Sequence, residues 1–285
     1  MNDICSIAAV REALKARGLS PNKKLGQNFL CDENIIKKIA EAAGVTEGDS
    51  VLEIGPGLGA LTAELCQRAE RVVAVEIDSG LADALGEAFS GKPNVEIVHA
   101  DFLKCDLAGL HKKLGGGPFR VAANLPYYIT TAIVMRLLES DLPIVSMSFL
   151  VQKEVAERMA ALPGTKSYGS LSIAVQYYTD ISVALSVPRG CFFPPPAVDS
   201  VVVRMNVRPP KVKVVSEREF FRITRCAFAM RRKTLVNNLV AGLGLKREEA
   251  ESMTARAKLP ADVRGEALSL IQFAALADEY AHRDN

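Results

Sequence analysis

The chain of 285 residues lacks the patterns that mark several classes of protein. No apolar run approaches the roughly 20 residues needed to span a bilayer, and no low-complexity tract or repeat of fixed period is present. The first residues include Asp3 and are soon followed by Arg11 and Glu12, which is untypical of a signal peptide. We therefore expect a cytoplasmic protein with no membrane segment.

Cysteine and histidine are few and scattered. The chain has 3 histidines and 6 cysteines, with no Cys-x-x-Cys pair and no histidine near a cysteine cluster. This spacing argues against a metal site and against a disulfide framework. It favours small buried thiols in a reducing compartment. The cysteines are Cys5, Cys31, Cys66, Cys105, Cys191 and Cys226.

The net charge is only +2, but the charges are unevenly distributed. Between Arg189 and Arg264 there are 16 basic and 7 acidic residues, whereas residues 1–188 carry 18 and 22. A basic segment on a nearly neutral protein indicates a polyanionic partner such as nucleic acid. A solvated helical surface is the alternative.

The first two thirds of the chain alternate between strand and helix patterns. Near-continuous apolar strands separated by helices predict a mostly parallel α/β sheet covered on both faces. Two further strands, 181–187 and 201–207, have no long helix between them and predict an antiparallel edge. The predicted strands of the parallel part are 51–54, 71–76, 95–98, 119–123 and 144–151, and the predicted helices are 33–43, 59–68, one ending at 89, 131–138 and 152–159.

The last third of the chain is wholly helical in pattern. Residues 208–211 predict a linker, and the predicted helices after it are 217–239, 247–257 and 262–280. We expect a Rossmann-like catalytic domain over 1–207 and a smaller helical, RNA-binding domain over 208–285.

A glycine-rich turn follows the first predicted strand of the sheet. Gly55 and Gly57 let the backbone approach a ligand closely, and the following helix offers free N–H groups. Glu76 ends the next strand, where a carboxylate can accept the two ribose hydroxyls of a nucleoside. Asp101, after the third strand, suits an adenine amino group. The turn also satisfies a dinucleotide fingerprint, so NAD or FAD is a competing cofactor.

The tetrapeptide Asn124-Leu125-Pro126-Tyr127 follows the fourth strand. The Asn124 side-chain oxygen and the Leu125 carbonyl can accept hydrogen bonds from the two N–H groups of an exocyclic amine and stabilise the charge that develops on it. Pro126 restricts the backbone, and Tyr127 can stack on the base. The tetrapeptide therefore predicts methyl transfer to the amine of a base.

Six ordered motifs resemble the small-subunit ribosomal RNA adenine N6-dimethyltransferases, the RsmA/KsgA family. The resemblance covers roughly residues 20–275. Two positions depart from the family pattern: Ala132 stands where proline is expected, and Cys31 where a polar residue is commoner. The motifs are Lys23 to Leu30, Glu53 to Gly59, Glu76 to Asp78, Asp101, Asn124 to Ile129 and Phe193 to Ser200.

The resemblance implies a cofactor, a substrate and a role for each motif. S-adenosylmethionine is the implied methyl donor, with Asn28 and Leu30 at its methionine end, and Gly55, Glu76 and Asp101 along the rest. Asn124 would touch both the cofactor and the target amine, and Phe193 would complete a sandwich around the base with Tyr127. The implied substrate is two adjacent adenosines in the 3′-terminal hairpin of 16S rRNA, dimethylated by a monomer acting on a small-subunit precursor.

Three alternatives stay open at the level of sequence. The first is a relative that dimethylates large-subunit rRNA; the helical tail and the Phe193–Ser200 motif favour the small-subunit enzyme over it. The second is an assembly factor with secondary catalysis, against which intact Glu76, Asp101 and Asn124 argue. The third is the dinucleotide oxidoreductase that the glycine turn permits.

Overall fold

The computed structural model describes residues 6–284, so Cys5 lies outside the described residues. Within residues 6–284 no helix is both long and apolar enough to cross a membrane. These residues form two compact units, one of residues 6–156 and 181–207 and the other of residues 157–180 and 208–284. Residues 157–180, assigned from sequence to the first domain, thus group with the C-terminal helices. Hydrogen bonds from the Arg208 guanidinium to the carbonyls of Gln176 and Thr179 hold part of this segment within the second unit.

A seven-stranded sheet organises the first unit. All the strands of the described residues, in the sheet and outside it, are β1 (Phe29–Leu30), β2 (Ser50–Ile54), β3 (Arg71–Glu76), β4 (Val95–His99), β5 (Phe119–Asn124), β6 (Ile144–Gln152), β7 (Thr179–Val187), β8 (Phe192–Phe193) and β9 (Ser200–Val207). Their order in the sheet is β4-β3-β2-β5-β6-β9-β7. The neighbouring strands β4, β3, β2, β5 and β6 pair in parallel, and β9 is antiparallel to β6. β1 and β8 form a separate antiparallel pair. The predicted parallel sheet with an antiparallel edge is confirmed.

The helices of the described residues are mostly short. They are α1 (Ile7–Ala16), α2 (Glu33–Ala43), α3 (Ala60–Leu65), α4 (Ser79–Phe89), α5 (Leu107–Lys113), α6 (Thr130–Leu138), α7 (Lys153–Ala160), α8 (Ser170–Tyr178), α9 (Glu217–Ala227), α10 (Leu235–Leu243), α11 (Arg247–Arg256) and α12 (Leu270–Ala281). Single 3-10 turns occur at Lys23–Leu25, Phe102–Lys104, Arg189–Cys191, Gly265–Ala267 and His282–Asp284. The predicted helix 59–68 is shorter in the structure because α3 ends at Leu65.

Local chemistry explains why α2 matches its predicted bounds. The Asp32 carboxylate accepts a hydrogen bond from the Ile35 N–H (3.0 Å) at its start. Gly44, with φ +66°, ends it in the left-handed conformation. The face that includes Ile36 and Ile39 is buried in the core that also contains strands β2 and β3. Burial of this apolar stripe, rather than intrinsic propensity, supplies most of the helix stability.

The second unit corrects two helix predictions. The predicted helix 217–239 is divided into α9 and α10 by a turn over residues 228–234. The buried Asn238 side chain accepts from the Met230 N–H (2.9 Å) and donates to the Met230 carbonyl (3.2 Å), which holds this turn. The predicted helix 262–280 begins only at Leu270, because Ser269 and Gln272 form a capping box there.

Candidate active site

A large cleft of the first unit opens beyond the carboxyl ends of β2, β3 and β5 and holds about 1160 Å³, a volume that includes its open mouth. Ligands of open α/β sheets bind at this edge, and the size suits a nucleoside cofactor beside a base. Ten predicted site residues line the cleft: Asn28, Leu30, Gly55, Gly57, Glu76, Asp101, Asn124, Leu125, Pro126 and Tyr127.

Glu76 is held by backbone donors at the end of β3. Its two carboxylate oxygens accept hydrogen bonds from the N–H of Gly57 (3.0 Å) and the N–H of Asp78 (2.9 Å). Burial raises the pKa of Glu76, and these donors oppose that rise. Each oxygen keeps a second lone pair that can accept a hydroxyl. The carboxylate is therefore oriented for the predicted ribose contact.

The glycine turn presses closely on its neighbours. Gly57 has φ +62°, and a Cβ there would lie 3.2 Å from the ring of Phe29. An L side chain at this position would be strained in backbone and crowded in space. The backbone conformation and the close packing of Phe29 therefore both require glycine here; the close approach of a ligand stays a prediction.

Asp101 begins the 3-10 turn Phe102–Lys104 by accepting from the Leu103 N–H at 3.0 Å. The turn is clamped by Arg136 of α6, which donates to the carbonyls of Leu103 (2.5 Å) and Cys105. Because α6 starts directly after the tetrapeptide, Arg136 connects the two segments of the cleft wall. Sequence analysis did not identify this residue, since an arginine in a helix carries no signal of its partners.

The tetrapeptide is anchored by hydrogen bonds on both sides. The Asn124 Nδ2 donates to the Asn28 carbonyl at 3.0 Å, which turns its Oδ1 into the acceptor available to a ligand. The Pro126 carbonyl accepts from the Ile129 N–H (3.2 Å) and the Thr130 hydroxyl (3.1 Å). The Thr130 contact tightens the start of α6, the place where the chain has Ala132 instead of proline. Asn124, the first residue of the tetrapeptide, thus links it to the segment that contains Asn28.

The ring of Tyr127 is fixed through its hydroxyl. Its Oη lies 2.7 Å from Oγ of Ser200, the first residue of β9, and Ser200 is 1% exposed. Burial raises the pKa of Tyr127, and the Ser200 contact opposes that rise. The tyrosine therefore remains a neutral stacking surface at physiological pH, with a defined orientation.

Phe193 is the predicted site residue that the structure places outside the cleft lining. It pairs with Phe29 across the β1–β8 ribbon, and the Arg11 guanidinium lies 4.8 Å from its ring centroid. The base-sandwich role of Phe193 stays a prediction.

Cys31 directly follows β1, and burial raises the pKa of its thiol to about 11.

Glu53 is a site residue that sequence analysis missed. It lines the cleft, is 1% exposed, and its Oε2 has no hydrogen-bond partner among the described residues. Burial, the largest cause, raises its pKa to about 8, and the nearby Glu76 adds to the rise. The signal was present in the sequence as a lone carboxylate within the apolar strand Val51–Ile54.

The cleft fits S-adenosylmethionine. The unpartnered carboxyl oxygen of Glu53 can accept a hydrogen bond from a bound ligand, and the oriented carboxylate of Glu76 suits ribose hydroxyls. Asn28 and Leu30 line the same cleft, as do the turn glycines. Within residues 6–284 no group of three or more His, Cys, Asp or Glu is placed to hold a metal ion.

A model of the family described as ribosomal RNA adenine dimethylase matches residues 18–282. Among curated proteins, a ribosomal RNA small subunit methyltransferase A of Pelotomaculum thermopropionicum is 49% identical, covering 97% of each chain. The protein of the same name from Clostridioides difficile is 47% identical, covering 98% of this chain and 97% of its own.

Two solved structures resemble the chain over most of its length. A dimethyladenosine transferase from Plasmodium falciparum has a TM-score of 0.73 and 26% identity, covering 90% of this chain and 98% of its own. The 23S rRNA methyltransferase ErmE has a TM-score of 0.64 and 30% identity, covering 88% and 98%.

Proposed function

The chain belongs to the ribosomal RNA adenine dimethylase family, and on that premise we propose that it dimethylates two adjacent adenosines near the 3′ end of 16S rRNA during small-subunit biogenesis. The predicted family, methyl transfer as the reaction and S-adenosylmethionine as donor are confirmed by this membership. The dinucleotide alternative is therefore wrong.

The choice between small- and large-subunit rRNA rests on degree of similarity. The curated small-subunit relatives are 47–49% identical over nearly the whole chain, whereas the 23S enzyme ErmE is 30% identical over 88%. Both share the fold, so the fold alone does not discriminate them. The higher identity supports the small-subunit substrate.

The observation that carries the proposed mechanism is the anchored Asn124 amide. S-adenosylmethionine, when bound, supplies an electrophilic methyl group. Asn124 Oδ1 and the Leu125 carbonyl accept hydrogen bonds from the two N–H groups of the target amine and stabilise the positive charge that develops on its nitrogen. The Asn28–Asn124 hydrogen bond fixes the acceptor in advance, so little reorganisation is needed at the chemical step.

Tyr127 supplies the second element of the mechanism. Its ring, held by Ser200, offers a face on which the extruded adenine can stack. Base flipping costs a few kcal/mol, less in a loop, and stacking on an aromatic side chain recovers roughly 1–3 kcal/mol. The methylated amine is acidic enough to lose its proton to water without a dedicated base.

The proposal is tested with Asn124→Ala. We expect single-turnover methylation of unmethylated small-subunit particles to fall by at least about 100-fold, the loss typical of removing one such acceptor or donor. RNA binding should change little, because the side chain acts at the transition state. Mass spectrometry of the 16S rRNA identifies the modified adenosines, and modification of 23S rRNA instead would favour the second candidate. Equal single-turnover rates in parent and variant would defeat the mechanism.

The remaining parts of the proposal concern assembly and place. We propose that the active form is a monomer. Light scattering during size-exclusion chromatography tests it. We also propose that the reaction takes place in the cytoplasm and that basic side chains of the C-terminal helices bind rRNA phosphates.

A further inference from the structure

Tyr128 stands out among the residues that line the cleft because its side chain is exposed. It is 60% exposed, although it directly follows the half-buried and hydrogen-bonded Tyr127. An exposed aromatic ring at the mouth of a cleft offers a flat face on which a base can stack. Adjacent rings thus point to different surroundings, one inside the cleft and the other at its opening.

The Tyr128 ring rests on the backbone of Gly26. A Cβ at Gly26 would lie 3.3 Å from Tyr128 Cδ1 and 3.5 Å from Cε1, so the glycine permits close contact. Gly26 also has φ +61°, a conformation that favours glycine. Together these features place the ring against a firm support and leave much of its surface open to solvent.

Two lysines accompany this ring. Lys23 and Lys24 lie in the 3-10 turn that ends at Gly26, and both are exposed. Within residues 6–284 neither lysine has an acidic partner within salt-bridge distance. The turn is fixed by Gln27, which accepts from the Asn22 N–H (2.8 Å) and donates to Asp78 (3.2 Å).

We propose that Tyr128, Lys23 and Lys24 form a subsite for the nucleotide next to the flipped adenosine, with the neighbouring base stacked on Tyr128 and its phosphates beside the lysines. The inference rests on the proposed function, since only a nucleic-acid substrate offers such a neighbour. A base that stacks at the opening would hold the strand in register while its neighbour occupies the cleft. Two adjacent target adenosines could then exchange places between the two positions.

The test uses a hairpin RNA with two adjacent adenosines in its loop and 2-aminopurine in place of one of them. When 2-aminopurine occupies the position next to the flipped adenosine, stacking on the Tyr128 ring should quench its fluorescence. The parent and Tyr128→Phe should quench it on binding, whereas Tyr128→Ala should quench it less, because only the probe that enters the cleft and stacks on Tyr127 is still quenched. Absence of quenching with the parent, or equal quenching with Tyr128→Ala, would overturn the subsite.

Affinity provides a second measurement. Removing the neighbouring base with an abasic nucleotide should weaken binding to the parent about 5- to 150-fold, the range expected for one stacked base. With Tyr128→Ala the abasic change should have almost no further effect, because the stacking partner is already absent. Equal abasic penalties in both proteins would contradict the proposal. Melting temperatures identify a variant that simply fails to fold.

The lysines are tested by salt dependence. The double change Lys23→Ala and Lys24→Ala should reduce the slope of log affinity against log salt by roughly 0.7 for each phosphate that is no longer neutralised. Lys112→Ala removes an exposed lysine of α5 outside the cleft lining and is the matched control, with an unchanged slope. If the double variant also leaves the slope unchanged, the phosphate part of the subsite is wrong.

The outcomes also separate this inference from the proposed function. If the parent protein does not methylate adenosines of small-subunit particles, the proposed function fails. If it methylates them while the Tyr128→Ala measurements match those of the parent, only the subsite fails.

Discussion

Ser200 illustrates how one remote residue can control a reacting group. Its hydroxyl is the partner of Tyr127, 73 positions away in the chain; Ser200 is buried and Tyr127 is half-buried. We expect Ser200→Ala to reduce single-turnover methylation about 2- to 12-fold, the equivalent of one neutral hydrogen bond. The ring would lose its fixed orientation, while the cofactor contacts would persist.

The double variant with Tyr127→Phe distinguishes positioning from general destabilisation. If Ser200 acts only through the Tyr127 hydroxyl, the two single losses should not add in the double variant. Ser200→Thr, which keeps a hydroxyl, should restore part of the rate. Additive losses, or an unchanged rate in Ser200→Ala, would show that the hydrogen bond does not position the ring.

Glu53 makes the stability of the cofactor-free protein depend on pH. Its folded-state pKa is about 8, compared with an ordinary value of 4.5. Between these values the folded protein binds more protons than the unfolded chain, so stability falls as pH rises. We therefore expect the melting temperature to decline from pH 5 toward pH 8, and Glu53→Gln to decline less.

Glu87→Gln is the control for this prediction, because it removes an exposed carboxylate of α4. Its melting temperature should follow the parent across the same range. The groups that act on Glu53 are Glu76, whose charge raises its pKa, and Thr62, whose hydroxyl lowers it. Parallel curves for Glu53→Gln and the parent would refute the assignment of the pH dependence to Glu53.

At the level of elements, the junction between β2 and α3 depends on one glycine. Gly59 has φ +84°, and a Cβ there would lie 2.7 Å from Phe89 and 2.8 Å from Leu85, both buried in α4. Gly59→Ala should cost at least about 1–3 kcal/mol from backbone strain alone, and more from crowding. Urea unfolding measures the loss.

Gly86→Ala is the matched control because it makes the same change in an open position. Gly86 lies in α4, is exposed, and has space for a Cβ. Alanine there should stabilise the helix by up to about 1 kcal/mol. Equal effects at both glycines would show that close packing of the turn is not what requires Gly59.

The elements that could be predicted from sequence are those whose residues carry their own signals. The bounds of β3 and α2 match prediction because apolar period and capping residues agree there. α8 was missed because its Ser170–Tyr178 sequence is apolar almost all round, so it shows no helical stripe. α1 and α5 were missed because each buries only one or two side chains.

The same distinction holds for the site. Ten of the predicted residues line the cleft because they belong to motifs with local chemistry, such as a glycine turn or an amide before proline. Ser200 and Arg136 act through partners distant in sequence, which a single sequence does not specify. Glu53 differs, because a lone carboxylate within an apolar strand was a signal that the sequence contained. The β1–β8 pairing, which places Phe193 opposite Phe29, is likewise a long-range contact.

At the scale of the whole molecule, the basic segment from Arg189 to Arg264 contains arginines with different roles. Arg231, Arg232 and Lys233 were predicted to lie in a helix, but they lie in the turn between α9 and α10. The Arg231 guanidinium bonds the carbonyl of Lys166 (2.7 Å) and the carboxylate of Glu266 (3.1 Å). Arg232 and Lys233 are exposed. All three side chains are exposed, so the hydrogen bonds of Arg231, rather than its position in the chain, distinguish a structural arginine from two candidates for RNA contact.

Replacing the members of this turn separately should divide stability from RNA binding. Arg231→Ala should lower the melting temperature, because two carbonyls and a carboxylate of the second unit lose their donor. The double change Arg232→Ala and Lys233→Ala should leave the melting temperature near that of the parent. It should weaken binding to small-subunit particles and reduce the salt slope by roughly 0.7–0.9 for each phosphate that these two cations neutralise in the parent. Cofactor affinity should stay constant in both, because the cleft is formed by the first unit alone. If instead the double variant melts early and keeps its salt slope, the turn serves folding, and the RNA contact must come from other cations of the basic segment.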